Sequence, residues 1–190
     1  ALGGAMNDQQ SSALSAFQVH CQEIYICYSL ASVGIADQAD KISKNDPDRS
    51  KRIFVGVGHP SKGNFQGVMN LGKYLDSSAR NGEFSSIIAK SFVTTIYSLW
   101  DEYYRHLVAE DVGATAKEVK SGLMGDLRKV RHCIVHNKSL VSKELEQLEE
   151  LKWRLEAGAM LKISDEMFQG LMDQINAIRV KVERLSGRAT

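Results

Sequence analysis

Proline occurs only twice in this 190-residue chain, at Pro47 and Pro60. Each removes a backbone N–H and pushes its predecessor out of helical geometry, so both mark one region as irregular. The chain on either side is free to form long helices. Before Pro47, Ala13, Phe17, Ile24, Leu30, Val33 and Ile35 recur near helical spacing, which predicts a helix from Ser11 to Lys44 with Ser12 as its cap. "RIFVGVGHPSKGN" then predicts a short strand at Ile53–Val57 and a Gly-rich loop. "GVMNLGKYLDSSA" reads as a short helix. From Phe84 to Glu110, Ile88, Phe92, Ile96, Leu99, Tyr103 and Leu107 form an apolar stripe on a second long helix. A third runs through "TAKEVKSGLMGDLRKVRHCIVHN", with Thr115 and Glu118 spaced as a capping box and Asn137 as its end signal. The charged "SKELEQLEELKWRLEAG" is expected to be a fourth, and a fifth is expected from Ser164 to about Leu185. The fold class expected is all-α: a helical bundle of about five helices with an irregular, Gly-containing insertion after the first long helix, at residues 46–83.

At 43% hydrophobic residues the chain can bury a core. Lys and Arg total 24 against 23 for Asp and Glu, so any anion binding must come from a local cluster. Cys21, Cys27 and Cys133 are an odd set without tight spacing, which argues for reduced thiols and a cytoplasmic location. No apolar run approaches the roughly 18 residues of a membrane span, and no secretory leader pattern is present. "ALGGAM" reads as an appended remnant ahead of a start at Met6, leaving a single domain over residues 6–190.

Two tempting motifs fail on chemistry. "GHPSKGNF" carries Gly58, Lys62 and Gly63, but a phosphate-cradling loop needs its Lys after the second Gly and a hydroxyl residue next. His132 and His136, four apart, share a helix face and could chelate zinc. Cys133 points about 100° away from His132, and no third ligand is near, so no metal and no cofactor are expected. Arg105 and His106 in "YYRHL" are adjacent and point apart, which reads as a surface patch.

The third helix is more informative. At about 100° per residue, Val119, Leu123, Leu127, Val130 and Ile134 fall within an arc of roughly 80°, the expected core face. Arg128, Arg131, His132, Val135 and His136 fall on the outward face. A solvated basic face is the bland reading. Against it stand Val135 amid the charges, as at a partner interface, and the pairing of guanidinium groups, which grip phosphate, with imidazoles, which exchange protons near neutral pH.

These residues carry a resemblance. "RHCIVH" fits the Arg-x4-His pattern of the HEPN superfamily, small helical bundles that include many metal-independent ribonucleases of toxin–antitoxin and phage-defence systems. The order of elements is similar too: a long helix with "LWDEYYRHL", a break, and a helix with the motif near its end. The resemblance spans roughly Phe84 to Leu185, and the insertion has no counterpart in the family pattern. It implies that Arg131 binds phosphate, that His136 is the catalytic imidazole and that His132 is the intervening polar residue. Arg128, Asn137 and Lys138 are candidates for further phosphate contacts.

The implied chemistry is attack of an RNA 2′-hydroxyl on the adjacent phosphate, giving a 2′,3′-cyclic phosphate. Because Arg131 and His136 lie about 140° apart on one helix, the resemblance further implies a homodimer in which two such helices share a cleft. RNA and a protein antitoxin are the partners implied, with no membrane. The alternative expectation is a non-catalytic HEPN-like module that binds RNA, a nucleotide or a protein partner.

Overall fold

The structure is a computed structural model and describes residues 11–57, 60–63 and 65–184. The "ALGGAM" segment, Gly58 and Leu185 lie outside the described residues; the fifth helix, expected to run to about Leu185, ends at Asn176. In chain order the elements are α1 (Ser12–Asn45), β1 (Arg52–Gly56), a 3-10 turn (Pro60–Lys62), β2 (Phe65–Asn70), α2 (Leu71–Ser78), α3 (Glu83–Leu99), a π-helical turn (Trp100–Tyr104), α4 (Arg105–Asp111), β3 (Val119–Lys120), α5 (Gly122–His136), a second 3-10 turn (Lys143–Glu146), α6 (Asp165–Asn176) and β4 (Lys181–Val182). Because α3, the π turn and α4 run on as one rod, the described residues form a bundle of five helical rods, as expected. The insertion at 46–83 holds an antiparallel hairpin, β1 against β2, followed by α2, and β3 pairs antiparallel with β4.

The core forms where α1 lays Phe17, Cys21, Ile24 and Tyr28 against the α3–α4 rod and α6. Phe17 sits 5.4 Å from both Trp100 and Tyr104, ring centroid to ring centroid, and Tyr28 meets Phe168 edge-on at 4.5 Å. Such tilted aromatic contacts add to the area each ring buries. Gln18, buried on the same helix, donates to the carbonyls of Ile175 and Asn176 at the end of α6. At the start of α1 the cap is Ser11, not Ser12: the Ser11 hydroxyl accepts from Leu14 N–H, while Ser12 donates to Asp111.

Several expectations need correction. Leu30 and Val33 of α1 are exposed, on the side opposite the core. On the α3–α4 rod the buried line is Ala89, Val93, Ile96, Trp100, Tyr104 and Val108, and Tyr103 is exposed. The last four are spaced by four. Along a straight α-helix that spacing drifts about 40° per step. The π turn removes the drift: Arg105 N–H bonds back to the Trp100 carbonyl, one residue farther than in an α-helix. The Thr115 N–H and hydroxyl both donate to the Glu118 carboxylate at 2.8 Å, which is one half of the expected capping box, but they close a turn. The chain then extends as β3, and α5 starts only after its cap Ser121.

The expected fourth helix does not form. Apart from the Lys143–Glu146 turn, that stretch is extended or irregular. Leu151, Trp153 and Leu155 turn inward while Lys152, Arg154 and Glu156 are exposed. That is an alternation of two, the period of extended chain rather than helix. Its backbone donors find one acceptor in Asp126 on α5. This carboxylate is almost fully buried; it accepts from the N–H groups of Glu149, Glu150 and Leu151 at 3.1, 2.7 and 3.0 Å and pairs with Lys129 at 3.4 Å.

Two predictions follow from this packing. Asp126→Ala strands three backbone donors, the one on Leu151 buried, and lowers the unfolding free energy by about 2 kcal/mol or more; a urea-melt loss below ~0.5 kcal/mol would contradict the anchoring role. In the folded protein at pH 8, a thiol alkylator should modify exposed Cys27 and spare Cys21, whose thiol is pushed up to about 12 by burial. Equal rates at both residues would show that the α1 core face opens.

Candidate functional site at the end of α5

α5 packs Leu123, Leu127, Val130 and Cys133 inward, so Arg128, Arg131, His132, Val135 and His136 are left on other faces. Ile134 is half-buried at the edge of the core. Val119, expected on this helix, is buried from β3 instead. The helix ends in a tight reversal: Lys138 and Ser139 take left-handed φ angles of 52° and 63°. The Cys133 carbonyl then accepts from both Asn137 and Ser139 N–H groups, a closing arrangement typical of helix C-termini. The Cys133 thiol donates to the Leu140 carbonyl at 3.2 Å. Burial raises its pKa, so it is a packing residue rather than a nucleophile.

Beside α5 lies an open cavity of about 1040 Å³. The α3–π segment supplies Tyr97, Trp100, Asp101, Glu102 and Arg105; β3 supplies Lys120; α5 supplies Arg128, Lys129, Arg131 and His132; Glu144 closes one side. Here the π turn has a second consequence. With Trp100 and Tyr104 held in the core, Asp101 and Arg105 are presented to the cavity, which sequence spacing alone did not indicate. Arg105 is therefore not part of a free surface patch: its Nη1 pairs with Asp101 at 3.1 Å and its Nε donates to the Val119 carbonyl at 3.2 Å. His106 is exposed.

Arg131 stands over the ring of Tyr97, its guanidinium carbon 5.7 Å from the centroid, within cation–π range. Its Nε is buried and has no hydrogen-bond partner among the described residues, where buried donors are ordinarily satisfied. Neither Arg131 nor Arg128 forms a salt bridge among the described residues. Burial raises the Tyr97 hydroxyl pKa, and Asp101 adds to this, while Arg128, Arg105 and Arg131 pull the other way. Cations with unused donors around a half-enclosed volume can hold an anion, and Arg presents two donors to phosphate at once.

The structure brings together Arg128, Arg131 and His132 of the expected site residues. His136 is not in the cavity wall. It is exposed, and its ring lies 4.9 Å from that of His132, tilted by 36°. Asn137 and Lys138 belong to the reversal beyond the helix and do not line the cavity. Among the described residues no group of three or more His, Cys, Asp or Glu side chains is placed to hold a metal ion, and no helix is long and apolar enough to cross a membrane.

No protein-family model matches the chain, and no curated protein or solved structure is significantly similar to it. The assignment of chemistry therefore rests on the side chains themselves. If the cavity engages a phosphate backbone, affinity for a single-stranded RNA oligonucleotide should fall with salt. Arg128→Ala should then flatten the slope of log affinity against log salt by about 0.7, the share of one phosphate contact on a single strand. A slope unchanged by Arg128→Ala would place the contact elsewhere.

Proposed function

We propose that the protein is a metal-independent endoribonuclease, with its reacting groups on the outward side of α5. The resemblance to HEPN ribonucleases adds a defence or toxin–antitoxin role and a protein antitoxin as partner. The observation that carries the reading is Arg131: a guanidinium packed on Tyr97 with an unused buried donor, at a cavity wall that also holds His132. In this mechanism the phosphate of an RNA strand lies against Arg131 and Arg128. His136 takes the proton from the 2′-hydroxyl as the 2′-oxygen bonds to phosphorus. The bond from phosphorus to the 5′-oxygen breaks, and the leaving oxygen receives a proton from His132 of a second copy, on the side of the phosphorus opposite the attacking 2′-oxygen. Arg131 neutralises the charge that builds on the phosphate oxygens. The products are a 2′,3′-cyclic phosphate and a 5′-hydroxyl.

A single chain holds Arg131 in the cavity and His136 outside it. The proposal therefore includes a homodimer in which two α5 helices face each other and complete the cleft, with half-exposed Val135 at the contact. The same separation favours a second reading, a module that binds RNA without cutting it.

His136→Ala should reduce cleavage of RNA by ~100-fold or more, while its melting curve changes little, because the side chain is exposed and such changes usually stay within about 0.5 kcal/mol. Arg131→Lys should recover little of the activity lost in Arg131→Ala, since an ammonium cannot make the paired contact. EDTA should leave the wild type unaffected. A His136→Ala protein that melts like wild type and cuts at full rate would overturn the mechanism, and a wild type that binds RNA but never cuts would select the binding module.

A further inference from the structure

α1 has two apolar faces, and the bundle uses one. The unused face carries Val19, Ile26, Leu30 and Val33, each more than half exposed and Leu30 at 70%. At 100° per residue the four fall within an arc of about 60°, opposite Phe17, Cys21, Ile24 and Tyr28. Val19, Ile26 and Val33 are seven apart, the interval at which a helix presents side chains to a partner helix. Charge is nearly absent: from Ser12 to Gln38 only Glu23 and Asp37 are charged, where a helix face meeting water is ordinarily rich in charge. Gly34, beside the stripe, has open space where a side chain would begin.

We propose that this face pairs with the same face of a second copy, antiparallel about a two-fold axis at Ile26. In that register Ile26 meets Ile26, and Val19 of each copy meets Val33 of the other. The carboxylates decide the direction. Antiparallel pairing sets Glu23 against Ser29 and Asp37 against Ser15, whereas in-register parallel pairing would set each acid against its own copy. A pairing over Ser15–Asp37, the span centred on Ile26, is about 35 Å long. With the residues that flank the stripe it buries several hundred Å² per copy, of the order of the ~800 Å² per partner of a stable interface. The two-fold axis makes the contact self-closing. The inference is independent of the RNA reading, because this face belongs to α1 and the candidate site to α5 and the α3–π segment.

The test is the assembly mass at micromolar concentration, by light scattering, for wild type, Ile26→Glu, Leu30→Glu and Val135→Glu, each checked for helix content and melting. Both α1 variants should keep the wild-type fold and halve the mass, whatever Val135→Glu does. In a Cys27→Ser background, Ile26→Cys should cross-link to itself under mild oxidation while Ser43→Cys does not. A wild type with the mass of one chain would overturn the proposal, as would an α1 variant of unchanged mass. A single-chain wild type that binds some other protein through this face counts equally against it.

Discussion

One buried carboxylate governs how the second half of this fold closes. Asp126 lies in the middle of α5 and accepts three consecutive backbone N–H groups from a strand of chain that forms no helix of its own. A buried charge is tolerated only where donors surround it, and here they come from Glu149, Glu150 and Leu151. The bond set fixes where the 147–163 segment crosses α5. That crossing puts Leu151 and Leu155 on the core and leaves the outer side of α5 uncovered. A fourth helix packed along α5 would have no such anchor and would cover more of that side. Asp126 thus holds this segment on the side of α5 away from Arg128 and Arg131.

The long rods were legible because their periodicity is strong and proline is absent from them. Three departures have physical causes. Along the α3–α4 rod, the spacing of four through Ile96, Trp100, Tyr104 and Val108 was present in the sequence, but it belongs to a π turn, and a search for α-helical spacing chose the neighbouring stripe with Tyr103. Between Lys143 and Gly158 composition favours helix, yet Leu151, Trp153 and Leu155 alternate with charged residues, and that alternation was the better guide. On α1 the apolar residues form two faces, and one stripe drawn through both mixed core positions with exposed Leu30 and Val33.

The site was half legible. Helix angles alone separate Arg128, Arg131 and His132 from the core face, and the cavity contains all three. Asp101 and Arg105 were not legible as site residues, since their direction depends on the π turn and on β3 lying close enough for Arg105 to reach Val119; Tyr97 precedes that turn and joins the site through its contact with Arg131 of α5. Helix angles also showed His136 beside His132 and turned away from Arg131, but not that the cavity takes in Arg131 and His132 and leaves His136 out. That separation is the physical reason for proposing that a second chain completes the site.

The RNA cleavage proposed for this face of α5 runs through the 2′-hydroxyl. The most direct measurement is product analysis by mass spectrometry on a short RNA with one defined cut site, in EDTA, compared with the same strand carrying a single 2′-deoxy nucleotide at that site. Attack by the 2′-hydroxyl should give a 2′,3′-cyclic phosphate and a 5′-hydroxyl from the all-ribose strand and no cut at the deoxy position. A 3′-hydroxyl product, or cleavage that proceeds at the deoxy nucleotide, would contradict it.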